Sequence, residues 1–306
     1  MLSPAEVGYD LTLYAQVWLE ERLRLTRALA RAVAEKPTPR AVHDVRVACR
    51  RLREAIEFFR GVPEVPPLSD VDRAARALAR SVRRLRELDV ARKQLSKLPQ
   101  QGASGTAVRT REELAKALKK RRRRAGQKNL ERIGKRADEL EAAIDESLPL
   151  YSKPRAIEPD RARESHLQAF VEARAAERRV LVETLYERVR AKAPLHAGGT
   201  RAERLHAVRV AVKHWRYASE IARAVMPRVL YRPIMTRLRL LQEIGGKGQD
   251  MVDLERIADE ELDRLGMSAR ARRPLLSAVR TSRRMAAAEF VAALASRLPH
   301  VQAAAS

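Results

Sequence analysis

Two short runs of this chain place the same chemistry at the same spacing. His43, Arg46, Arg50 and Arg53 stand at i, i+3, i+7 and i+10, and His206, Arg209, Lys213 and Arg216 repeat that pattern 163 residues later. At about 100° per residue, four such positions fall within roughly 80° of one helix face. Successive members rise by about 4.5–6 Å along the axis, so neighbouring cations can engage nearby phosphates of one extended anion. Guanidinium groups add planar, bidentate donors suited to phosphate oxygens. The chemistry expected of such a ladder is the grip of a polyanion. A phosphohistidine relay is the catalytic alternative, because imidazole is a nucleophile. A metal site is not expected, since the helix neighbours of both histidines are cations and no further ligands stand at suitable spacing.

The opposite face of each run is apolar: Val45, Cys49, Leu52, Ile56 and Phe59 in the first, Val208, Val212 and Trp215 in the second. One face therefore packs and the other meets solvent or ligand. Glu57 and Glu220 follow the last ladder arginine by four residues as intrahelical partners, and one acid does not balance three cations. The next helix adds Arg73, Arg76, Arg80 and Arg83 at the same four spacings, while the matching second-half positions are Thr236, Arg239, Glu243 and Gly246. Arg239 alone keeps its charge there. Around the run Lys119-Lys120-Arg121-Arg122-Arg123-Arg124, the candidates are Lys116, Lys120 and Arg123. Consecutive cations point all round a helix, so part of this run is a solvated surface. Gly245-Gly246-Lys247-Gly248 lacks the spacing and the Ser/Thr of a phosphate loop, and is expected to be a helix irregularity.

The elements that position these residues read as all-α. Apolar residues recur at helical spacing almost throughout, with no convincing period-two run. Helices are expected over about 8–35, 39–60, 70–97, 108–146, 160–193, 201–226, 230–264 and 270–297. Thr38-Pro39 is an N-cap with proline in the first turn. Thr200 with Glu203 is a capping box. Gly61 and the prolines at 63, 66 and 67 end the first ladder helix, and the proline-rich stretch from Leu148 to Pro159 is the expected junction between halves.

A net charge of +24 and a pI near 11.1 call for an acidic partner. Aromatic residues are only 4% of the chain, too few for the stacking platforms of single-strand and RNA readers. A charged ligand without rings fits better, although duplex DNA held through its phosphates keeps nucleic acid as the second reading. Cys49, the single cysteine, excludes an internal disulfide and reads as a packed small hydrophobe. No apolar run has the length of a membrane span and no signal peptide is evident, so a cytoplasmic location is expected.

The repeat extends beyond the histidine helices. At the same offset Arg76 falls on Arg239, Leu78 on Leu241, and Arg86-Glu87-Leu88 on Gln249-Asp250-Met251, with no gap. A gapless match across two helices and their connection indicates duplication. The copies His43-x-x-Arg46-x-x-x-Arg50-x-x-Arg53 and His206-x-x-Arg209-x-x-x-Lys213-x-x-Arg216-Tyr217 resemble the signature helices of the CHAD (conserved histidine α-helical domain) family. Leu85-Arg86-Glu87-Leu88-Asp89-Val90 and Leu241-Gln242-Glu243-Ile244-Gly245 to Asp250 resemble its second recurring motif.

The resemblance implies two four-helix bundles, residues 1–155 and 156–306, related by a pseudo-two-fold axis with a basic central groove or pore. It implies non-enzymatic binding of inorganic polyphosphate and association with polyphosphate granules, with no cofactor. Many members are joined to a triphosphate-tunnel domain bearing Glu-x-Glu-x-Lys, and Glu139-Leu140-Glu141-Ala142-Ala143 lacks that lysine. Two positions depart from the family's pattern. Glu87 stands where aspartate is usual, and Glu54 replaces the tyrosine that Tyr217 supplies in the second copy.

Overall fold

The computed structural model describes residues 10–99, 105–151, 161–191, 200–224 and 226–303. Among them are nine α-helices and no strand: α1 (Leu11–Glu35), α2 (Pro39–Phe58), α3 (Ser69–Ser81), α4 (Arg83–Lys97), α5 (Gly105–Tyr151), α6 (Arg161–Arg190), α7 (Arg201–Ile221), α8 (Arg228–Arg264) and α9 (Ala269–Ala303). The caps sit where the sequence signals them. Thr38 accepts a hydrogen bond from the Ala41 amide at 3.1 Å, with Pro39 opening α2. At α7, Glu203 accepts from the Thr200 amide at 2.7 Å and Thr200 Oγ accepts from the Glu203 amide at 3.2 Å. Each bond satisfies an amide that the first helical turn leaves unpaired. After α2 the chain turns at Gly61, whose φ of +83° is costly for any residue with a Cβ.

The helix expected over 70–97 is instead two helices, broken at Val82 without glycine or proline. The cause is insertion of side chains into the helical ladder. Arg46 donates to the Ala79 carbonyl at 2.6 Å, Ser81 Oγ donates to the Leu78 carbonyl at 2.8 Å, and Arg132 reaches the Ser81 carbonyl at 3.5 Å. The second half behaves differently. Shifted by 163 residues, α2 coincides with α7 to within a residue, but α3 and α4 together overlie the single α8. The helix irregularity expected at Gly245 to Gly248 is absent, because α8 runs through it unbroken. Gly245 serves packing: a methyl placed there would lie 2.9 Å from the Phe290 ring and 3.1 Å from Arg209 Cγ.

Three apolar cores hold these helices. The first joins α1, α2 and α3 to the C-terminal half of α5 and the start of α6, through residues such as Leu19, Cys49, Leu52, Leu78, Leu140 and Val171. The second joins the end of α6, α7, the first half of α8 and the end of α9, through Val212, Trp215, Leu238 and Phe290. The third is shared: Leu88, Leu95, Leu114 and Leu118 from α4 and α5 meet Met251, Leu254, Ile257 and Leu276 from α8 and α9. Fully burying each such side chain contributes about 1.5–3 kcal/mol, so this shared core ties one half of the chain firmly to the other. Polar contacts follow the same seam, with Gln94 donating to Asp250 at 2.8 Å and Arg256 reaching Glu87 at 3.4 Å. The expected boundary at residue 155 falls outside the described residues. Among the described residues no helix is long and apolar enough to cross a membrane.

Candidate anion-binding site

The two histidine helices, α2 and α7, pack against each other across the halves. Two pairs clasp them: His214 Nδ1 lies 2.6 Å from Glu54 Oε2, and Arg51 lies 3.4 Å from Glu220. The apolar stripes sink Val45, Cys49 and Leu52 into the first core and Val208, Val212 and Trp215 into the second, while Ala218 and Ile221 at the end of α7 enter the first core beside α2. Burial pushes the Cys49 thiol up to about 12, as expected of a packed rather than a reactive cysteine.

The consequence is a knot of half-buried cations drawn from both halves: Arg46 and Arg50 from α2, Arg209 and Lys213 from α7. Their mutual repulsion is legible in their proton affinities. Burial, then Arg50, Arg209 and Arg46, push the Lys213 amine down to about 7, with Glu54 pulling the other way. Burial, then Arg50, Arg86 and Arg83, lower Arg46 to about 10, which leaves it charged at neutral pH. Arg209 is lowered by burial and Arg50 against the pull of Asp250 and Asp253, and its buried Nε has no hydrogen-bond partner. His43 is held below its ordinary value by burial and Arg86, with Arg50 and Lys93 adding and Asp44 opposing. Crowding like charges at half-buried positions is unfavourable for the fold and leaves a local positive potential that an anion would relieve.

The other ladder residues are placed differently. Arg53 is bound to Asp72 at 2.7 Å, and the same carboxylate holds Arg76 at 3.0 Å. Arg73 pairs with Asp70, and Arg83 with Glu87 at 2.7 Å. Arg80 is exposed, and because the chain breaks at Val82 the stripe from Arg73 to Arg83 is not one continuous face. Arg216 is buried, pairs with Glu220, donates to Gln242 at 2.6 Å and lies 4.4 Å over the Tyr217 ring. It belongs to the packing behind the knot. His206 Nδ1 bonds Gln249 at 2.7 Å, and Arg239 is exposed on α8. On α5, Lys116 pairs with Glu113 at 2.9 Å, Lys120 and Arg123 are exposed, and Arg121 and Arg122 are engaged by Glu261 and Asp89.

Two cations at the knot escaped the ladder reading: Arg86 and Lys93 of α4, whose fields reach His43. They stand two helical turns apart, opposite the buried Leu88, Ala91 and Leu95, so the i, i+7 spacing used for α2 would have found them. Of the acids beside the knot, Glu54 stood out only as a departure from the family's pattern and Asp250 only as part of the repeat, neither as a neighbour of the cations. Burial raises the Asp250 carboxyl despite the hydrogen bond from Gln94 and the nearby Arg86, Arg209 and Lys93.

One cavity borders the knot and another lies farther along α4. The first, of 430 Å³, lies between α7, α8 and α9 and is lined by His206, Arg209, Gly245 and Phe290. The other, of 1250 Å³, runs between α4, α5 and α9, with Arg92, Lys93, Lys116 and Lys119 on its rim. The larger cavity shares only Lys93 with the surroundings of the knot, so its size does not move the centre of positive charge away from α2 and α7.

Comparison with known proteins bears on this arrangement. The family model for the CHAD domain matches residues 18–259. A solved structure, the CHAD domain from the plant Ricinus communis, is similar over 97% of this chain and 92% of its own, at 20% identity and a TM-score of 0.63. PptA from Streptomyces chartreusis is similar over 95% of this chain and 97% of its own, at 15% identity and a TM-score of 0.54. At these identities the likeness is one of fold. Among curated proteins none matches the chain.

Proposed function

The chain belongs to the CHAD domain family, and from that premise and the cation knot we propose that it binds inorganic polyphosphate. The observation that carries this reading is the convergence of Arg46, Arg50, Arg209 and Lys213 from two halves of the chain, with Glu54 acting against Lys213's shift. Polyphosphate offers closely spaced anionic groups and no bases, which suits a surface rich in guanidinium groups and poor in aromatic ones. In this reading the protein holds the chain without cleaving it, and binding places it on polyphosphate granules in the cytoplasm. His43 and His206 serve as hydrogen-bonding neighbours of the arginines, not as nucleophiles.

Replacing Arg46, Arg50, Arg209 and Lys213 together with glutamine tests the proposal. Polyphosphate affinity should drop by orders of magnitude and its salt dependence should flatten, while circular dichroism stays helical. Unchanged affinity would sink the reading. Nucleic acid is the alternative polyanion, and competition separates the two: long polyphosphate should displace DNA or RNA at equal phosphate concentration, but not the reverse. Phosphate release or chain shortening that vanishes with His43→Ala or His206→Ala would instead make the protein an enzyme.

A further inference from the structure

Resting on that binding reading, we propose that the knot takes up its polyanion together with one proton, received from solvent by Nζ of Lys213. No covalent bond to the ligand forms; the amine lone pair accepts a proton, and the resulting ammonium joins the three guanidinium groups in holding the anion.

The geometry gives Lys213 this role and withholds it from its neighbours. Three of the four cations are arginines, which stay protonated across the physiological range. Among these four cations Lys213 alone carries a group that can give up its charge there. It is half-buried on α7, one turn after Arg209, and its chain neighbour His214 meets Glu54, which stands one turn after Arg50 on the packed α2. The charged groups acting on it are Arg46, Arg50 and Glu54 from α2 and Arg209 from α7 itself. One step further out, Asp250 and Asp253 of α8 act on Arg209, and Arg86 of α4 acts on Arg46. His214, next in the chain, is engaged by Glu54. In the free protein the amine, pushed down to about 7 by burial and these arginines, is largely neutral above that pH. A polyanion laid across the knot reverses the balance, since a nearby negative charge favours the ammonium.

The sign of the linkage follows. Well below pH 7 the lysine is charged with or without ligand, so its own contribution to affinity no longer changes with pH. Above pH 7 each binding event draws a proton from solvent, and affinity falls by up to about tenfold per pH unit, until the pH passes the raised pKa of the bound state. His43, held below its ordinary value by burial and Arg86, is neutral in the free protein over that upper range.

Calorimetry of the full chain with long-chain polyphosphate, whose few end groups contribute negligibly, tests this at pH 8 in buffers of different ionisation enthalpy. Uptake approaching one proton per binding event is expected for the wild type. Lys213→Arg keeps a cation that does not titrate in this range, and its uptake should fall to near zero. Binding by the wild type without proton uptake overturns the proposal, and so does equal uptake by the wild type and Lys213→Arg. If the variant misfolds, the wild-type proton count and the slope of affinity against pH decide alone. Failure to bind polyphosphate at pH 6 as well as pH 8 would remove the binding reading itself, a result distinguishable from binding without a proton.

Discussion

His214 Nδ1 and Glu54 Oε2 lie 2.6 Å apart, joining α7 to α2 across the two halves of the chain. Glu54 stands where the family's pattern has the tyrosine that Tyr217 provides in the other copy, so this departure supplies a contact between the halves. The same carboxylate favours the charged form of Lys213. Its exchange for an uncharged isostere should loosen the seam. Glu54→Gln is expected to lower stability by about 0.5–1.5 kcal/mol, the range of one ordinary hydrogen bond, in denaturant unfolding at neutral pH. A midpoint unaffected by the substitution would show that the clasp is incidental to the packing of α2 on α7.

Neighbouring glycines of α8 should respond in opposite directions. At Gly245 an added methyl meets the Phe290 ring at 2.9 Å, and that ring is buried and has little room to yield. Overpacking of about 1–3 kcal/mol then outweighs the roughly 1 kcal/mol that alanine gains over glycine in a helix. Gly246 meets nothing within 4 Å, so the helical gain stands alone there. Thermal unfolding should therefore place Gly245→Ala below the wild type and Gly246→Ala above it. Stabilisation by both would contradict the close approach of α8 and α9.

The ladder arginines should separate by what already holds them. Arg50 acts on Arg46, Arg209, Lys213 and His43 alike, whereas Arg53 is bound to Asp72 and Arg216 to Glu220 and Gln242. Arg50→Gln should weaken polyphosphate binding by at least tenfold at moderate salt and leave unfolding little changed. Arg216→Gln should cost about 1–3 kcal/mol of stability, because the half-buried Glu220 and Gln242 lose a charged donor, with a smaller effect on affinity. Arg53→Gln should have less effect on affinity than Arg50→Gln. Equal losses of affinity in all three variants would mean that the sequence ladder, not the knot, is the binding unit.

Much of the architecture is local and was therefore written in the chain. Helical periodicity located α1, α2 and α5 to α9 within a few residues, since one apolar stripe per helix must be buried whatever the partner. Thr38 with Pro39, and Thr200 with Glu203, cap their helices through contacts three residues long, so spacing alone sufficed. The break at Val82 was not legible, because Arg46 and Arg132 act on it from distant segments and no glycine or proline marks it locally.

The sequence by itself determined that two basic helix faces exist, opposite Cys49 and Leu52 in one and Val212 and Trp215 in the other. Only the tertiary structure decided which of their charges remain available for an anion. Arg53 and Arg216 look identical to Arg46 and Arg209 in a helical projection, yet Asp72 and Gln242 reach them through folding. Lys213 acquires its special character first from burial and then from Arg50, 163 positions earlier in the chain, with Arg209 of its own helix and Arg46 adding. Periodicity fixes the face on which a side chain stands, because that follows from the backbone of its own helix. Field and partners come from whatever the cores bring alongside, and those are set by packing between segments far apart in sequence.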